Sequence, residues 1–527
     1  MNAESRTARL CLILHAHLPF VRHPEHPTFL EEDWLFEAIT ETYVPILAMA
    51  ERLRDEKRPF QFAMTFSPPL CEMLEDPLLQ ERYARHLDER LDLIERERHR
   101  GQNPATVEMY RKLFRQAHDV VERRNGRRLL GAFRGLQESG HLEILTCGAT
   151  HGFLPNMGRP EAVNAQIAVA VANYRKHFGR APRGIWLPEC GYAPGIDAAL
   201  ARNGIQWFVV DSHGVMNGSR VPKRGVFAPV RTPNGVAVFA RDRESSKQVW
   251  SAKEGYPGDG LYREFYRDLG YDADLEYIRP YLHPDGVRRN VGLKYHRITG
   301  DVPLHAKEPY DPGAALAKAD EHAANFVFNR SQQARWLRSK LDATPTIVSP
   351  YDAELFGHWW FEGPRFLESV ARRMSDPGSE VALVSPSEVL KAENRLQTLE
   401  PSMSTWGDKG YAEVWLNGGN DWMIRHQHRA EDRMVALAKR PQPSALERRA
   451  LNQAARELLL AQSSDWAFLI TVGASAPYGH RRFRDHISRF IRLADGIEKG
   501  KIDEADLRKS ESHDSIFQEL DYRIYAG

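Results

Sequence analysis

Eight short apolar runs, each followed directly by polar or small residues, constrain the fold of this 527-residue chain more than any other feature. Apolar runs of this length are typical of strands that are buried on both faces, as in parallel sheets. The runs are LCLIL (10–14), FQFAMTF (60–66), LEIL (142–145), GIWL (184–187), QWFVV (206–210), VAVFA (236–240), TIV (346–348) and VALV (381–384). They predict a sheet whose strands are mainly parallel and end in polar residues.

Helical patterns lie between many of these runs, for example AVNAQIAVAVANYRKHFG (162–179), which ends on a glycine at the expected C-cap. Alternating strands and helices predict an α/β protein, either a barrel or an open doubly wound sheet. The sequence contains no GxGxxG or Walker pattern that would give an open sheet its phosphate site. An α/β barrel is therefore preferred, with its active site at the carboxyl ends of the strands.

Two regions lack this alternation and divide the chain into three predicted parts. Residues 76–139 are charged and helical in pattern, which predicts a helical insertion. The last part is helical again, and the apolar stripe of 444–470 is interpreted as core. We therefore predict a catalytic barrel in 1–75 and 140–395 and a C-terminal helical domain in 396–527.

Composition excludes several classes of protein. The 72 Lys and Arg residues balance 71 Asp and Glu residues, so the chain has no electrostatic footprint for nucleic acid or an anionic membrane. Its four cysteines are far apart, which fits a reducing compartment rather than a disulfide or zinc scaffold. The apolar run near the N-terminus is too short for a signal peptide, and no later run approaches the roughly 18 residues of a membrane span. We predict a cytoplasmic protein with an uncharged partner.

Two carboxylates follow predicted strands among aromatic residues. Glu189 lies in WLPECGY beside Trp186 and Tyr192, and Asp352 precedes Trp360 in YDAELFGHWWFEG. A glycoside hydrolase needs a pair of carboxyl groups, one of which acts as an acid, and flat apolar surfaces suit the faces of sugar rings. A buried ion pair or a helix cap would explain either residue equally simply.

Two histidines, separated by a single residue, stand at the end of the first strand and share one of its faces. His15 and His17 could donate hydrogen bonds to sugar hydroxyls or could bind a metal ion. Because His151, His213 and Asp352 also follow strands, a metal-dependent amidohydrolase barrel is an alternative. A purely structural role for the histidines also stays open.

Aromatic and polar residues concentrate in two C-terminal segments, STWGDKGYAEVWLNGGNDW (404–422) and SSDW (463–466). Trp406 and Trp415 are interpreted as part of a rim that faces a ligand, although tryptophan is mostly buried in proteins. Asp465 could accept hydrogen bonds from sugar hydroxyls or cap a helix.

Together these segments resemble the glucan branching enzymes of glycoside hydrolase family 57 over nearly the whole chain. Five segments occur in the order typical of that family, and RDRESSKQVWSAKEGYPGDGLYREFYRD (241–268) is similar too. The five segments are HAHLPF (15–20), GATHGFLP (148–155), WLPECGY (186–192), YDAELFGHWWFEG (351–363) and AEVWLNGGNDWMIRH (412–426).

The resemblance implies a distorted (β/α)7 TIM-like barrel with a helical insertion and a C-terminal α-helical domain. It also implies a retaining mechanism without a metal or other cofactor, with Glu189 as the nucleophile and Asp352 as the general acid/base. Combined with the aromatic residues above, it gives a predicted substrate-binding set of His15, His17, His151, Arg263, Trp360, Trp406, Trp415 and Asp465.

The activity implied is cleavage of α-1,4-glucan and transfer of the cleaved chain to a 6-hydroxyl, which forms an α-1,6 branch in a glycogen-type glucan. The partners implied are an α-1,4-glucan donor and acceptor. An α-amylase, a 4-α-glucanotransferase and a glucan-binding protein without activity are the alternatives.

The family's branching enzymes also have a loop tyrosine near the active site, between the third and fourth segments. No tyrosine occurs between Tyr192 and Tyr256 of this chain. Either Phe227, Trp250 or Tyr256 therefore shields the reaction from water, or transfer is leaky and hydrolysis increases.

Overall fold

A computed structural model describes residues 6–250, 254–393 and 395–527. All eight apolar runs form strands, and a short strand that the sequence pattern did not predict forms a hairpin with the sixth run. In chain order the strands are β1 (Ala8–Ala16), β2 (Phe62–Phe66), β3 (Leu142–Leu145), β4 (Gly184–Ile185), β5 (Trp207–Val210), β6 (Val230–Arg231), β7 (Ala237–Ala240), β8 (Thr346–Asp352) and β9 (Val381–Leu383).

The strands close into a barrel in the order β1, β2, β3, β4, β5, β7, β8, which confirms the predicted distorted barrel. The seven barrel strands belong to two sheets, with β1, β2, β3 and β8 in one and β4, β5 and β7 in the other. Within each sheet, neighbouring barrel strands are parallel. Thr146 and Ile185 join β3 to β4, and the backbone N–H of Asp242 donates to the carbonyl of Val348 (2.8 Å) between β7 and β8. Strand β9 pairs with the first residues of β1, and β6 is antiparallel to β7.

Apolar side chains fill the interior of the barrel, so the reactive groups are confined to its rim. Alternate residues of the strands supply this core, because successive side chains on a strand point to opposite faces. The buried interior residues include Cys11, Ile13, Ala63, Leu145, Cys147, Trp207, Val209, Phe239 and Val348. The four cysteines are all buried and unpaired.

Helices surround the barrel and form the C-terminal part of the chain. Short π-helical segments at Ile39–Tyr43 and Asp119–Arg124 follow α1 and α5. The helices are α1 (Glu32–Ala38), α2 (Val44–Asp55), α3 (Pro68–Leu74), α4 (Pro77–Arg100), α5 (Pro104–His118), α6 (Leu129–Glu138), α7 (Pro160–Phe178), α8 (Ile196–Arg202), α9 (Ser212–Met216), α10 (Arg243–Trp250), α11 (Leu269–Asp272), α12 (Leu275–Ile278), α13 (Pro312–Lys340), α14 (Gly363–Ser375), α15 (Pro386–Ala392), α16 (Trp422–Ala438), α17 (Ala445–Ala461), α18 (Ser464–Val472), α19 (Ala476–Glu498) and α20 (Glu504–His513).

The region between β2 and β3 is helical, as its charged pattern predicts. Helix α4 begins where the carboxylate of Asp76 accepts the N–H of Leu79 (3.0 Å), with Pro77 at its first position. Helix α7 ends, as predicted, at Gly179, whose φ of 70° is left-handed. The boundaries of the three predicted domains stay predictions. Among the described helices, none has both the length and the apolarity that crossing a membrane requires.

The C-terminal stretch 444–470, whose helical spacing indicates helix, forms two helices. Helix α17 starts with a capping box between Ser444 and Glu447 and ends at Ala461. Ser463 then pairs with Gly152 of the loop after β3, which interrupts the helical hydrogen bonding. Helix α18 starts at Ser464, so its first turn lies against the mouth of the barrel.

Candidate active site

The two predicted carboxyl groups lie at the carboxyl end of the barrel. Asp352 is the last residue of β8 and lies directly opposite His15 of β1. His17 follows β1 on the same face as His15. Glu189 lies in a turn four residues beyond the end of β4. The barrel thus brings residues from distant segments to one rim.

The turn that carries Glu189 has an unusual backbone. Pro188 keeps the preceding residue extended, and Glu189 and Cys190 then adopt left-handed φ angles of 61° and 48°. The backbone N–H of Trp406 donates to the carbonyl of Glu189 (3.1 Å), which holds the turn. Strained non-glycine conformations of this kind cluster at functional sites.

The carboxylate of Glu189 accepts two hydrogen bonds from side chains. Trp406 donates through Nε1 to Oε2 (3.0 Å), and Ser464 donates through Oγ to Oε1 (2.9 Å). Burial raises the pKa of Glu189 above its ordinary value, and these two donors oppose that rise because they favour the charged form. The two donors therefore favour the ionised form of Glu189, although burial keeps its pKa above the ordinary value.

Asp352 has the opposite environment. Burial raises its pKa well above the ordinary value, the negative charges of Glu354 and Glu189 raise it further, and Arg241 only partly opposes them. Within the described parts of the chain, no hydrogen-bond donor reaches its carboxyl group. If one proton is shared between the two carboxyl groups, Asp352 holds it.

Glu354 is a third buried carboxyl group, which the sequence interpretation did not select. It accepts hydrogen bonds from the hydroxyl of Tyr43 and from the backbone N–H of His17 (3.2 Å). Burial raises the pKa of Glu354 to about 7. The signal was present in the sequence, since Glu354 follows Asp352 by two residues.

Three side chains form a hydrogen-bond chain that ends on Glu189. Ser464 uses its hydroxyl proton for Glu189, so it accepts from Nδ1 of His151 (2.7 Å). His151 must then accept through Nε2 from Nε2 of His15 (2.9 Å). This order requires His151 to be neutral, because its Nε2 must accept a hydrogen bond, and burial lowers the pKa values of both histidines well below the ordinary range. Ser464 was missed in the sequence because its function depends on contacts 275 and 313 residues away.

His17 and Asp465 form a second pair beside this chain. Nε2 of His17 lies 3.1 Å from Oδ2 of Asp465, and Nδ1 lies 2.8 Å from the hydroxyl of Ser67. Although burial alone would raise it, the contact with His17 lowers the pKa of Asp465 to about 2. The ring of His17 stacks on that of His151, with centroids 3.8 Å apart.

Three tryptophans line the same side of the site. Trp186 stacks on His15 with ring centroids 4.5 Å apart, and Trp406 meets Trp186 edge-on at 4.9 Å. Trp250 contacts Trp406 at 5.9 Å. Of the residues expected to shield the reaction, only Trp250 has contacts at this site. Tyr256 stacks on His322 instead.

Arg263, which was predicted to bind substrate, makes its contacts within the protein. Its guanidinium is buried, forms an ion pair with Glu41 and lies over the ring of Phe361 at 4.1 Å. The same guanidinium also donates to the carbonyl of His358 (3.2 Å), whereas its Nε is buried and has no partner among the described residues. These contacts support a structural role, and the assignment of Arg263 to substrate stays a prediction.

Trp360 and Trp415, which were also predicted to bind substrate, are buried too, and their assignment to substrate stays a prediction. Trp360 is 2% exposed and packs against Phe366, and Trp415 is 3% exposed and stacks on Phe153. Neither indole has a face free for a sugar ring. The other predicted residues, His15, His17, His151, Trp406 and Asp465, lie together around Glu189.

Trp359, directly before Trp360, is the exposed member of the pair. It is 53% exposed and stacks on Phe265 with ring centroids 4.3 Å apart. Its backbone N–H donates to the carbonyl of Glu354 (3.1 Å), so it lies on the loop that follows Asp352. Sequence alone could not tell which of two adjacent tryptophans points inward.

Two groups of side chains at the site have the geometry to hold a metal ion. One contains His15, Cys147 and His151, the other His17, His151 and Asp465, with ligand atoms within 4.8 Å of one another. His213, which the amidohydrolase alternative also needed, bonds instead to the carbonyl of Gly410 (2.7 Å). In the second group, His17 and Asp465 already bond to each other.

Comparison with protein families gives two matches along the chain. The family described as "Glycosyl hydrolase family 57" matches residues 11–403. A second family, "1,4-alpha-glucan branching enzyme, C-terminal", matches residues 426–525.

Individual relatives cover nearly the whole chain. A 1,4-alpha-glucan branching enzyme of Thermococcus kodakarensis is 36% identical over 97% of this chain and 77% of its own length. The crystal structure of an α-amylase from Thermotoga maritima is 46% identical, covers 99% of both chains and has a TM-score of 0.93. That of a GH57-type branching enzyme from Pyrococcus horikoshii is 34% identical, covers 99% of this chain and 97% of its own, and has a TM-score of 0.89.

Proposed function

The chain belongs to glycoside hydrolase family 57, and from that premise we propose that it is a 1,4-α-glucan branching enzyme. The choice of branching as the activity rests on one observation. The segment similar to the C-terminal part of branching enzymes, residues 426–525, supplies Ser464, which donates to Glu189 at 2.9 Å. The similarity thus includes a side chain that touches the proposed nucleophile.

In the first half of the proposed reaction, Glu189 attacks the anomeric carbon of an α-1,4-linked glucose. Asp352 gives its proton to the departing 4-oxygen, and the bond between carbon and that oxygen breaks. Glu189 is charged because Trp406 and Ser464 donate to it, and Asp352 is protonated because burial and two neighbouring carboxyl groups disfavour its charge. A glucosyl ester on Glu189 results.

In the second half, Asp352 acts as a base. It removes the proton from a 6-hydroxyl of an acceptor chain, whose oxygen attacks the anomeric carbon and displaces Glu189. Two inversions at one carbon give net retention, so the new linkage is α-1,6. Both carboxyl groups return to their starting protonation states, and no cofactor takes part.

Transfer instead of hydrolysis requires that water be kept away from the glucosyl ester. We assign this role to the apolar wall of Trp186, Trp250 and Trp406, which lies beside Glu189. The exposed indole of Trp359 offers a flat surface for a glucose ring near Asp352. The enzyme would act in the synthesis of a glycogen-type glucan, and four unpaired cysteines fit the cytoplasm.

An α-amylase is the second candidate function. The structure that is 46% identical to this chain is described as an α-amylase. In addition, no tyrosine occurs between Tyr192 and Tyr256, where branching enzymes of the family have a loop tyrosine. Both activities use the same carboxyl groups and differ only in the acceptor.

Incubation with amylose separates the two candidates. Branching predicts a fall in iodine colour, new α-1,6 linkages and shorter chains after enzymatic debranching, with few new reducing ends. Release of reducing ends without α-1,6 linkages would establish the amylase instead. Glu189→Gln should abolish turnover in either case, by several orders of magnitude.

A further inference from the structure

A groove on the outer surface of the barrel is not used by the proposed reaction. It lies between α13 and the segment that follows β7 and has a volume of about 380 Å³. The indole of Trp336, which is 61% exposed, forms one edge. The groove is lined by Phe227, Asp242, Glu244, Asn329, Gln332, Gln333 and Trp336.

The polar lining of this groove consists mainly of side-chain amides. Asn329, Gln332 and Gln333 each have one acceptor oxygen and two N–H donors. Gln333 donates to Oδ1 of Asp242 (3.1 Å), while its own Oε1 is buried and has no partner among the described residues. Because this oxygen is shielded from solvent, the hydroxyl groups of a ligand would pair instead with the amides of Asn329 and Gln332, which line the groove.

The charges of the groove compensate one another. Arg330, buried behind the groove, donates to Glu244 (2.6 Å) and has Nη1 3.6 Å from Asp242. The negative charges of Asp242 and Glu244 outweigh the single positive charge of Arg330, so the groove would not attract an anion. Both carboxylates already have partners, so the groove is also a poor site for a cation. An exposed indole beside neutral amides suits an uncharged polyhydroxylated ligand.

The barrel wall separates this groove from the active site. Arg241 points into the barrel, where it bonds to Asp211 (3.2 Å). Its positive charge there acts on Asp352, where it opposes the rise in pKa. The next residue, Asp242, points outward and contacts Gln333 and Arg330. A glucan bound in the groove therefore occupies a different surface from the one being cleaved.

We propose that this groove is a second binding site for α-1,4-glucan, in which Trp336 stacks on a glucose ring and the amides bond its hydroxyls. The choice of ligand rests on the proposed function. Asn329 and Trp336 are seven residues apart on α13, about 10 Å along the helix axis, so contact extends over more than one ring. Anchoring a long chain here raises the effective concentration of its other segments near the active site.

The experiment compares Trp336→Ala with Phe328→Ala on native gels that contain amylose, with both changes made in the Glu189→Gln protein to prevent turnover. Phe328 is a matched control, because it is 59% exposed on the same helix and does not line the groove. Amylose should retard Trp336→Ala less than its parent, with an apparent Kd for amylose about tenfold higher. Phe328→Ala should migrate like its parent. Gln332→Ala should have a smaller effect in the same direction.

With Glu189 restored, the Trp336→Ala enzyme should show a several-fold lower kcat/KM on amylose and unchanged turnover of a short maltooligosaccharide. Equal retardation of the Trp336→Ala and Phe328→Ala proteins would overturn the proposal. A change of oligomeric state in Trp336→Ala, measured by size-exclusion chromatography, would also overturn it and identify the groove as an interface between copies. If the unmodified chain is retarded through Trp336 but does not act on amylose, the proposed function fails and the second site stands.

Discussion

At the scale of single residues, the two carboxyl groups differ because different atoms surround them. Glu189 has two hydrogen-bond donors, whereas Asp352 has Glu354 and Glu189 as negative neighbours. The donors favour charge on one group and the neighbours favour a proton on the other. Two carboxyl groups can thus act as nucleophile and acid at the same pH.

Ser464→Ala tests the donors. The change removes a hydrogen bond to the charged Glu189, which we expect to lower kcat about 10- to 100-fold. Because the lost donor favoured the ionised form, the pKa of Glu189 should rise and the acidic limb of the pH–activity profile should move to higher pH. Ser444→Ala is the control, since this serine only caps α17 and its loss should cost about 1 kcal/mol of stability without changing kcat. An unshifted acidic limb would contradict the role of Ser464.

Glu354→Gln tests the neighbours of the acid. Asp352 must be protonated to act, so activity falls as the pH rises through its pKa. Removing the charge of Glu354 removes one cause of the raised pKa, and the basic limb of the profile should move to lower pH. Glu362→Gln is the matched control, because it is also a buried carboxyl group but bonds to Tyr310 and the backbone of Arg263. A shift in the control variant as well would show that the effect is not specific to Asp352.

Both carboxyl groups and the histidines were selected because each lies within a few residues after an apolar run. Ser464 could not be selected, since its bonds reach residues hundreds of positions away. Trp360 was selected although Trp359 is the more exposed of the two, because the direction of a side chain in an irregular loop depends on packing that no local pattern encodes. Arg263 was assigned to substrate from the resemblance, and its ion pair with Glu41 could not be foreseen because Glu41 is far away in the sequence.

At the scale of elements, the π-helical segment Ile39–Tyr43 supports the loop that follows β8. Its Glu41 bonds to Arg263 and to His358 (3.1 Å), and its Tyr43 bonds to Glu354. Gly357 in the loop has a φ of 122°, and a Cβ there would lie 1.8 Å from the carbonyl oxygen of Glu41. The close contact and the left-handed φ both require glycine. Segments of π-helix are frequent at functional sites.

Arg263→Met tests this support. The change leaves Glu41 buried without its cation, and we expect a loss of about 3–5 kcal/mol in the free energy of unfolding at pH 7. Although burial alone would raise it, the pairing with Arg263 lowers the pKa of Glu41 to about 2. The stabilisation is therefore complete above the ordinary pKa of a glutamate and is lost as the pH falls toward 2. The difference between the two proteins, measured by urea denaturation, should shrink as the pH is lowered.

The control for this change is Arg267→Met, which removes a partly exposed ion pair with Asp272 and should cost less than about 1 kcal/mol. If Arg263→Met were as stable as this control but bound glucan poorly, the original assignment of Arg263 to substrate would be right. Neither α1, α2 nor the π-helical segment between them was predicted, because the contacts of Glu41 and Tyr43 are with segments far away in the chain.

At the scale of the whole molecule, a buried polar network joins the barrel to the C-terminal helices. Gln166 of α7 donates to Thr150 (2.9 Å) and to Gln462 (3.1 Å), and Gln462 donates to Glu431 (2.9 Å). Gln462 lies just before Ser463, between α17 and α18. The network therefore fixes the start of α18 relative to the nucleophile.

Gln166→Leu should weaken both stability and catalysis. It leaves buried partners of Gln166 without hydrogen bonds, at a cost of about 1–3 kcal/mol for each group, and loosens the position of Ser464. Gln453→Leu is the matched control, because Gln453 is equally buried but bonds to Glu457 and Ser510 within the C-terminal helices. Both variants should have a lower Tm, whereas only Gln166→Leu should have a lower kcat at a temperature where both are folded. Equal kcat values would contradict a coupling between this network and the site.

The barrel followed from apolar runs and from the resemblance to a known family, whereas its strand order was not predicted. Helical spacing also indicated helix in 444–470, and Asp465 was considered as a helix cap. The pairing of Ser463 with Gly152 between the two helices could not be predicted, because Gly152 is distant in the chain.

The origin of Ser464 in the last part of the chain has a consequence for protein synthesis. A ribosome that has translated the barrel has already produced both carboxyl groups, yet the hydroxyl that orients the nucleophile is still to be made. A polypeptide that stops before position 464 lacks this hydrogen bond to Glu189, so we expect a product truncated there to cut glucan poorly.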